Sequence, residues 1–254
     1  MTLGSGLECF LFVFARLSCA LVLVPPLGEG RTPRLALVCL ALWTTLVVAG
    51  TRTPIQAATG ADFLAALAAE ACLGLLLGFV VRLALLPLEV LGEYLSHEAG
   101  LAMPATLDPT RAAPSTAFFA LARALAFLLF LALGGLESSL RMLGRSFELL
   151  APGAAGRVAL RAESLAVVPE VFARAFQAAF ELALPVVVAA LLGTVTIAIL
   201  ARAVPRLNLF TDVFPLRTVA ACGALLIFLP LTARATAWLL GQVTDAAPLA
   251  VLGA

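Results

Sequence analysis

Apolar runs of membrane length, most of them interrupted by a charge, constrain the fold of this chain more than any other feature. A lipid-spanning helix needs about 20 mainly apolar residues. The chain has 254 residues, of which 63% are hydrophobic and only 12% are charged, against about 25% in a typical soluble domain. Because so little polar surface is available to cover a globule, the composition predicts an integral membrane protein or a subunit of a membrane complex.

Only one run reaches the full length of a span without a charge, the 20 residues from Leu182 to Ala201. The other runs contain or adjoin ionisable residues. A charge that faces acyl chains costs several kcal/mol, so such residues normally face protein or water. We therefore expect a group of ionisable residues to be buried within the chain or to lie at contacts between subunits. They are Arg16, Glu70, Arg82, Arg123 and Arg202.

The hydrophobic pattern predicts an all-α, membrane-associated fold of helical hairpins in a single domain over residues 1–254. Six apolar helices are expected near residues 8–27, 35–50, 63–86, 114–135, 182–201 and 213–233. Residues 163–181 add an amphipathic helix that runs directly into the charge-free run, with a break near Pro185. The connector from Glu137 to Arg161 is polar and contains Pro152-Gly153 as a breaker. The predicted loops hold six arginines on each side, so the positive-inside rule gives no orientation.

The chain lacks the residue patterns of the common catalytic and metal sites. Its five cysteines form no C-x-x-C pair, and His97 is the only histidine, so no zinc site is expected. No Walker A sequence or G-x-G-x-x-G fingerprint occurs. The net charge of +1 favours no polyanionic partner. The sequence predicts no enzyme activity, no cofactor, no metal and no nucleic-acid partner.

One charged pattern allows two interpretations. Glu89, Glu93 and His97 follow one another at intervals of four residues, which places them on one face of a helix. They are either a proton relay along a water-filled path or the solvated face of a helix that emerges from the membrane. The second interpretation is the one we favour.

Two segments combine backbone breakers with polar groups beside apolar helices. The first, from Gly100 to Pro109, ends at Asp108, because a residue before proline is pushed out of the α region. The second, from Arg202 to Pro215, carries two prolines, an asparagine and two phenylalanines. Non-helical backbone at membrane depth persists only where it is buried in protein or lines a water-filled cavity. Both segments are also compatible with plain interfacial turns.

A series of short motifs follows in order over roughly residues 10–232. Their main residues are Arg16, Pro25, Pro33, Glu70, Gly74, Gly78, Arg82, Gly92, Gly100, Asp108, Pro109, Gly134, Gly135, Ser146, Phe147, Pro152, Gly153, Pro185, Arg202, Pro205, Asn208, Phe210, Phe214 and Pro215. No single motif is specific, but their order and spacing are. Together they resemble the FliR/SctT family of inner-membrane export proteins of flagellar and injectisome type III secretion systems.

The chain departs from the family pattern at several positions. Glu98-Ala99 replaces the usual glutamine-methionine, and Arg206 replaces a glutamine beside the proline. Gly134-Gly135-Leu136 stands where flagellar members often carry asparagine-glycine-histidine, which inclines the assignment slightly toward the injectisome branch.

The resemblance implies an all-helical subunit that assembles with other export-gate and export-apparatus membrane subunits into a closed gate, with many of its helices held above the usual bilayer plane. Unfolded flagellar or effector proteins would pass through the pore of this assembly across the bacterial inner membrane, driven by a separate ATPase and the proton-motive force. We assign the candidate gate to Gly100, Asp108, Pro109, Pro205, Asn208, Phe210, Phe214 and Pro215. The alternative function is a polytopic small-molecule permease, although the two similar halves typical of a permease are not evident.

Overall fold

A computed structural model of the chain describes residues 3–25, 27, 33–50, 60–98, 117–155, 162–203 and 214–245. These residues form eight helices and no strand, which confirms the all-α prediction for the part of the chain that is described. In chain order the helices are α1 (Leu3–Leu23), α2 (Arg34–Ala49), α3 (Gly60–Leu83), α4 (Leu86–Glu98), α5 (Ala117–Ala132), α6 (Gly135–Leu149), α7 (Ala162–Ala203) and α8 (Phe214–Asp245).

Four of these helices are long and apolar enough to cross a membrane. The qualifying stretches are Gly6–Leu23 in α1, Asp62–Leu83 in α3, Phe172–Gly193 in α7 and Thr218–Gln242 in α8. The α5–α6 pair passes the same test only as a broken element, bent by 62°. Helix α2 is apolar but shorter. The prediction of membrane-associated helices is confirmed, and the described residues hold four helices of spanning length, or five if the bent pair is one span, where the sequence predicted six apolar helices.

The third predicted helix, expected over residues 63–86, lies at Gly60–Leu83 and ends three residues earlier than expected, because the chain turns at Ala84 and Leu85 before α4 begins. Proline has no amide hydrogen, so Pro87 cannot donate to the carbonyl four residues earlier, and α3 cannot continue through it unchanged. Proline is well tolerated in the first turn of a helix, where that hydrogen bond is missing anyway. Pro87 therefore marks the start of a second helix.

The connector predicted from Glu137 to Arg161 is partly wrong, because its first half forms α6. This helix has a buried face at helical spacing, made of Gly135, Ser139, Met142, Leu143, Ser146 and Phe147. Its opposite face carries the charges that made the stretch look like a loop, among them the ion pair of Glu137 with Arg141. The predicted breaker is confirmed: Pro152 and Gly153 form a turn in which Gly153 has φ of +89°.

The amphipathic and charge-free segments join in one helix, α7, as predicted. The break expected near Pro185 is wrong, since the helix continues through this proline to Ala203. Apolar helices of membrane proteins accommodate proline by local adjustment of the backbone. Helix α8 likewise contains Pro230 and runs to Asp245, beyond the predicted end at residue 233.

The chain divides into two compact units. The first takes its residues from Met1–Ala84, Phe130–Arg174 and Trp238–Ala254, and the second from Leu85–Leu129 and Ala175–Ala237. The single domain over 1–254 stays a prediction.

Within the first unit, α1 packs against α2 and α3. Two glycines of α3 allow a close approach of its backbone to α1. A Cβ on Gly78 would lie 2.5 Å from the carbonyl oxygen of Ala20, and one on Gly74 would overlap the carbonyl oxygen of Arg16. This close packing brings the middle of α1, where Arg16 lies, directly against the middle of α3.

Candidate functional site

The main polar feature of the first unit is an ion pair between α1 and α3. Nε of Arg16 donates to Oε2 of Glu70 at 2.6 Å, and both side chains are completely buried. Each residue interrupts a mainly apolar helix, and its pairing with the opposite charge explains why it can persist there. Removing one partner of such a pair leaves a buried charge uncompensated and costs roughly 3–5 kcal/mol.

The second nitrogen of the guanidinium binds the end of α6. Nη1 of Arg16 donates to the carbonyl oxygens of Ser146 at 3.1 Å and Leu150 at 3.3 Å, and to the hydroxyl of Ser146 at 3.3 Å. The guanidinium also lies over the ring of Phe147, with its central carbon 4.2 Å from the ring centroid. Within the described residues, Nη2 is buried without a hydrogen-bond partner. Arg16 thus joins α1 to a helix about 130 residues later.

The carboxylate of Glu70 binds the turn that follows α6. Its Oε1 accepts hydrogen bonds from the amides of Gly153 at 2.9 Å and Ala155 at 3.4 Å. The amide of Ala154 donates to the carbonyl of Ala151 at 3.0 Å. With Pro152 second and a positive φ at Gly153, the turn has the features of type II. Both oxygens of the buried carboxylate are therefore hydrogen-bonded.

This arrangement can fix the relative positions of three segments. All the charge of the pair is buried and neutralised in place. No group of three histidine, cysteine, aspartate or glutamate side chains suited to a metal ion occurs in the described part of the chain. We therefore describe the pair and the backbone it binds, Ser146 to Ala155, as a structural site.

The other predicted charges occupy different surroundings. Arg82 is half-buried in the last turn of α3. Arg123 is also half-buried, with its guanidinium 5.9 Å from the ring of Phe119 one helical turn away. Arg202 is exposed in the last turn of α7, so it is not a buried charge within the chain. The expectation that these residues contact other subunits stays a prediction.

The charged face of α4 lies at the surface. Nε2 of His97 is 3.5 Å from Oε1 of Glu93, and the side chains are 58% and 55% exposed. Glu89 lies half-buried one turn earlier. These exposures agree with the solvated helix face that the sequence favoured, and they show no enclosed proton path along Glu93 and His97.

The candidate gate residues are mostly outside the described part of the chain. This applies to Gly100, Asp108, Pro109, Pro205, Asn208 and Phe210. Phe214 and Pro215 begin α8, and the placement of their side chains lies outside the description. The assignment of all eight residues to a gate stays a prediction.

Comparison with known proteins identifies the family of this chain. The profile of the family described as bacterial export proteins, family 1, matches residues 7–243 of the chain. The chain belongs to this family. The match covers both compact units, including all the residues that form the Arg16–Glu70 site.

Three relatives in the export family carry the name flagellar biosynthetic protein FliR. The protein from Aquifex aeolicus is 30% identical over 185 residues, covering 70% of this chain and 68% of the relative. The one from Bacillus subtilis is 23% identical over 219 residues, with coverages of 86% and 85%. The one from Caulobacter vibrioides is 26% identical over 230 residues, with coverages of 89% and 89%.

These findings confirm the resemblance to the FliR/SctT family. They indicate a membrane-embedded component of a flagellar export apparatus. The flagellar names of all three relatives run against the slight inclination toward the injectisome branch that Gly134-Gly135-Leu136 gave.

Sequence reasoning selected Arg16 and Glu70 as buried charges but did not pair them, and it missed their backbone partners. Ser146 and Phe147 entered only as part of a motif. A usable signal was present, since both residues continue the spacing of Ser139, Met142 and Leu143 on one helical face. The hydrogen bonds to Leu150, Gly153 and Ala155 leave no such signal, because they are made by the backbone.

Proposed function

We propose that this chain is a core subunit of the export gate of a flagellar type III secretion system in the bacterial inner membrane. Together with partner membrane subunits it forms the passage for unfolded export substrates. The family match over residues 7–243 carries the proposal, because it covers nearly all of the four described helices that are long enough to span a membrane.

The exposed apolar surface of the long helices supports a role inside an assembly. Phe180, Leu191 and Ile199 of α7 are 61%, 62% and 66% exposed, and Ile227 of α8 is 73% exposed. Soluble monomers rarely expose contiguous apolar patches of more than a few hundred Å². These helix faces therefore need lipid or other subunits to cover them.

Charged side chains in the first half of α7 favour contact of their helix face with polar protein surface or water. Arg174 donates to Glu170 at 2.7 Å, and both side chains are about half exposed. Glu181, two turns beyond Arg174, is also exposed. Since exposed charges in hydrocarbon are costly, the face of α7 that carries these charges contacts polar protein surface or water, whereas residues 182–201 suit lipid or apolar subunit contacts.

The role we assign to the chain is structural and gating. The buried Arg16–Glu70 pair binds backbone, which suits a structural role, and the family resemblance assigns the energy for transport to other components of the apparatus. The gate itself is assigned to the two breaker segments, with Pro205 and Pro215 stiffening the second turn. Asn208 would satisfy free backbone groups there, and Phe210 and Phe214 would supply the seal.

Deletion and complementation test the proposal directly. Cells that lack this chain should secrete no flagellar filament or hook protein, and the full chain should restore secretion. An affinity-tagged copy solubilised in mild detergent should recover other membrane subunits of the apparatus in fixed stoichiometry. Normal secretion in the deletion strain, or a tagged chain recovered alone from cells that secrete normally, would contradict the assignment.

Alanine variants of the two phenylalanines test the gate. Phe210→Ala and Phe214→Ala should leave assembly intact and make the assembled complex conduct ions, because a packed aromatic seal is lost. Phe180→Ala, at an exposed apolar position of α7, is the matched control and should not conduct. Complexes of either gate variant that assemble in normal yield, remain tight to ions and still export would return these phenylalanines to ordinary packing.

A further inference from the structure

The Arg16–Glu70 pair has donors and acceptors beyond those that join its two side chains, and these bind one stretch of backbone. Arg16 lies near the middle of the apolar stretch Gly6–Leu23, and Glu70 near the middle of Asp62–Leu83. Only one nitrogen and one oxygen are used between the two side chains. The remaining bonded atoms, Nη1 and Oε1, contact residues between Ser146 and Ala155.

Arg16 binds the carbonyl end of α6. The last four carbonyl groups of a helix have no donor within that helix, and a cation at this end also interacts favourably with the helix dipole. Helix α6 ends at Leu149, and Nη1 of Arg16 donates to the carbonyl of Leu150 and to that of Ser146, which also accepts the amide of Leu150 at 3.0 Å. A side chain from α1 therefore caps the C-terminus of α6.

Glu70 binds the amide groups that follow the same helix end. Pro152 prevents the chain from continuing as a helix, and the turn exposes the amides of Gly153 and Ala155. Oε1 of Glu70 accepts from both. The carbonyls before the proline and the amides after it are thus satisfied by opposite members of one ion pair.

We propose that the Arg16–Glu70 pair is a two-sided cap that holds a break in the backbone at the mid-depth of the apolar α1–α3 pair. Buried backbone without hydrogen bonds costs several kcal/mol per group where water is excluded. The cap supplies partners for the carbonyl of Leu150 and the amides of Gly153 and Ala155. The pair's role is to bind the backbone of that segment, so removing both charges together does not preserve its function.

This role differs measurably from that of a simple buried ion pair. Replacing both members of a simple pair by apolar residues of similar size is often neutral or stabilising. The same replacement in a cap leaves the carbonyl of Leu150 and the amides of Gly153 and Ala155 without their partners. The double variant Arg16→Met/Glu70→Leu therefore separates the two roles.

The experiment measures the reactivity of single thiols in the full chain, assembled with its partners in native membranes. The five native cysteines are first replaced by serine or alanine in a background that still exports. One reporter is Ala154→Cys, at a position only 4% exposed in the capped turn. A second reporter is Val80→Cys, at a position fully buried in α3. The labelling rate of a buried thiol by a maleimide reports how often its surroundings open.

The proposal expects slow labelling of both reporters in the unmodified background. Arg16→Met/Glu70→Leu should raise labelling of the Ala154→Cys reporter by about tenfold or more, while the Val80→Cys reporter stays slow. The matched control is the exposed pair on α6, where Arg141 donates to Glu137 at the same 2.6 Å. Its double variant Glu137→Gln/Arg141→Gln should leave both labelling rates unchanged.

Three results would overturn the proposal. Slow labelling of the Ala154→Cys reporter in the double apolar variant would show that the pair only neutralises charge. Rapid labelling of both reporters in that variant would show that the pair holds α1 to α3 and not the break. Rapid labelling of the Ala154→Cys reporter before any change to the pair would show that the segment is not held at all.

Discussion

The contact between α1 and α3 provides a sharp test of the packing, through the substitution Gly74→Ala. A Cβ on Gly74 would overlap the carbonyl oxygen of Arg16 and lie 3.0 Å from its Cα. The corresponding distance at Gly78, 2.5 Å to the carbonyl oxygen of Ala20, is 0.9 Å less than the 3.4 Å of ordinary contact, and Gly74 is tighter still. The atoms in the way are backbone, so no side-chain rotation relieves the clash and α1 has to move.

The expected cost of Gly74→Ala follows from two opposed terms. Overpacking a tight core costs typically 1–3 kcal/mol, while replacing glycine by alanine within a helix returns about 1 kcal/mol. Displacing α1 at Arg16 also stretches the 2.6 Å contact with Glu70, which adds to the cost. We expect a net loss of about 2 kcal/mol, equivalent to a fall in Tm of about 4–8 °C for a chain of this size.

The assay is thermal unfolding of the full chain in detergent, followed by the loss of its monodisperse peak in gel filtration. Gly144→Ala is the matched control, because it lies in α6 of the same unit and a Cβ there would meet nothing within 4 Å. This control should gain up to about 1 kcal/mol from helix propensity. A Gly74→Ala protein as stable as Gly144→Ala would refute the close approach of α1 and α3.

Three further substitutions and one exposed control test other parts of the first unit in the same assay. Gly134→Ala forces a side chain into the left-handed φ of +71° at the α5–α6 turn, so it should lose about 1–2 kcal/mol; stability equal to that of Gly144→Ala would contradict the turn. Phe12→Ala empties a fully buried site and should lose about 3–5 kcal/mol. Its control, Trp43→Ala, at a position 68% exposed, should change the Tm little. Equal losses for the two variants would contradict the burial of Phe12 in the core. Ser146→Ala removes one hydroxyl acceptor of Arg16 but keeps the carbonyl, so it should lose about 1 kcal/mol, and a loss as large as that of Phe12→Ala would show that the hydroxyl is the main contact.

Patterns carried by neighbouring residues were readable from the sequence. The fusion of the amphipathic and apolar segments into α7 follows from the helical spacing over residues 163–181, which leads directly into the charge-free run. The turn at Pro152 and Gly153 follows from a residue without an amide hydrogen and one that accepts positive φ. Local chemistry also misled at two points. The exposed charges of α6 gave no indication of the buried face opposite them, whose residues recur at helical spacing. Pro185 was expected to break α7, but the helix continues through it.

The sequence by itself determined that this chain is a helical membrane protein and that its buried charges need partners, because hydrophobic length and the cost of an isolated charge are local properties. Only the tertiary structure decided which partners they have. Arg16 meets Glu70 across 54 residues and the end of α6 across 130, and the atoms it binds there include backbone carbonyls that every residue possesses. Since such acceptors carry no mark in the sequence, the packing of α1 on α3, permitted by Gly74, is what selects them.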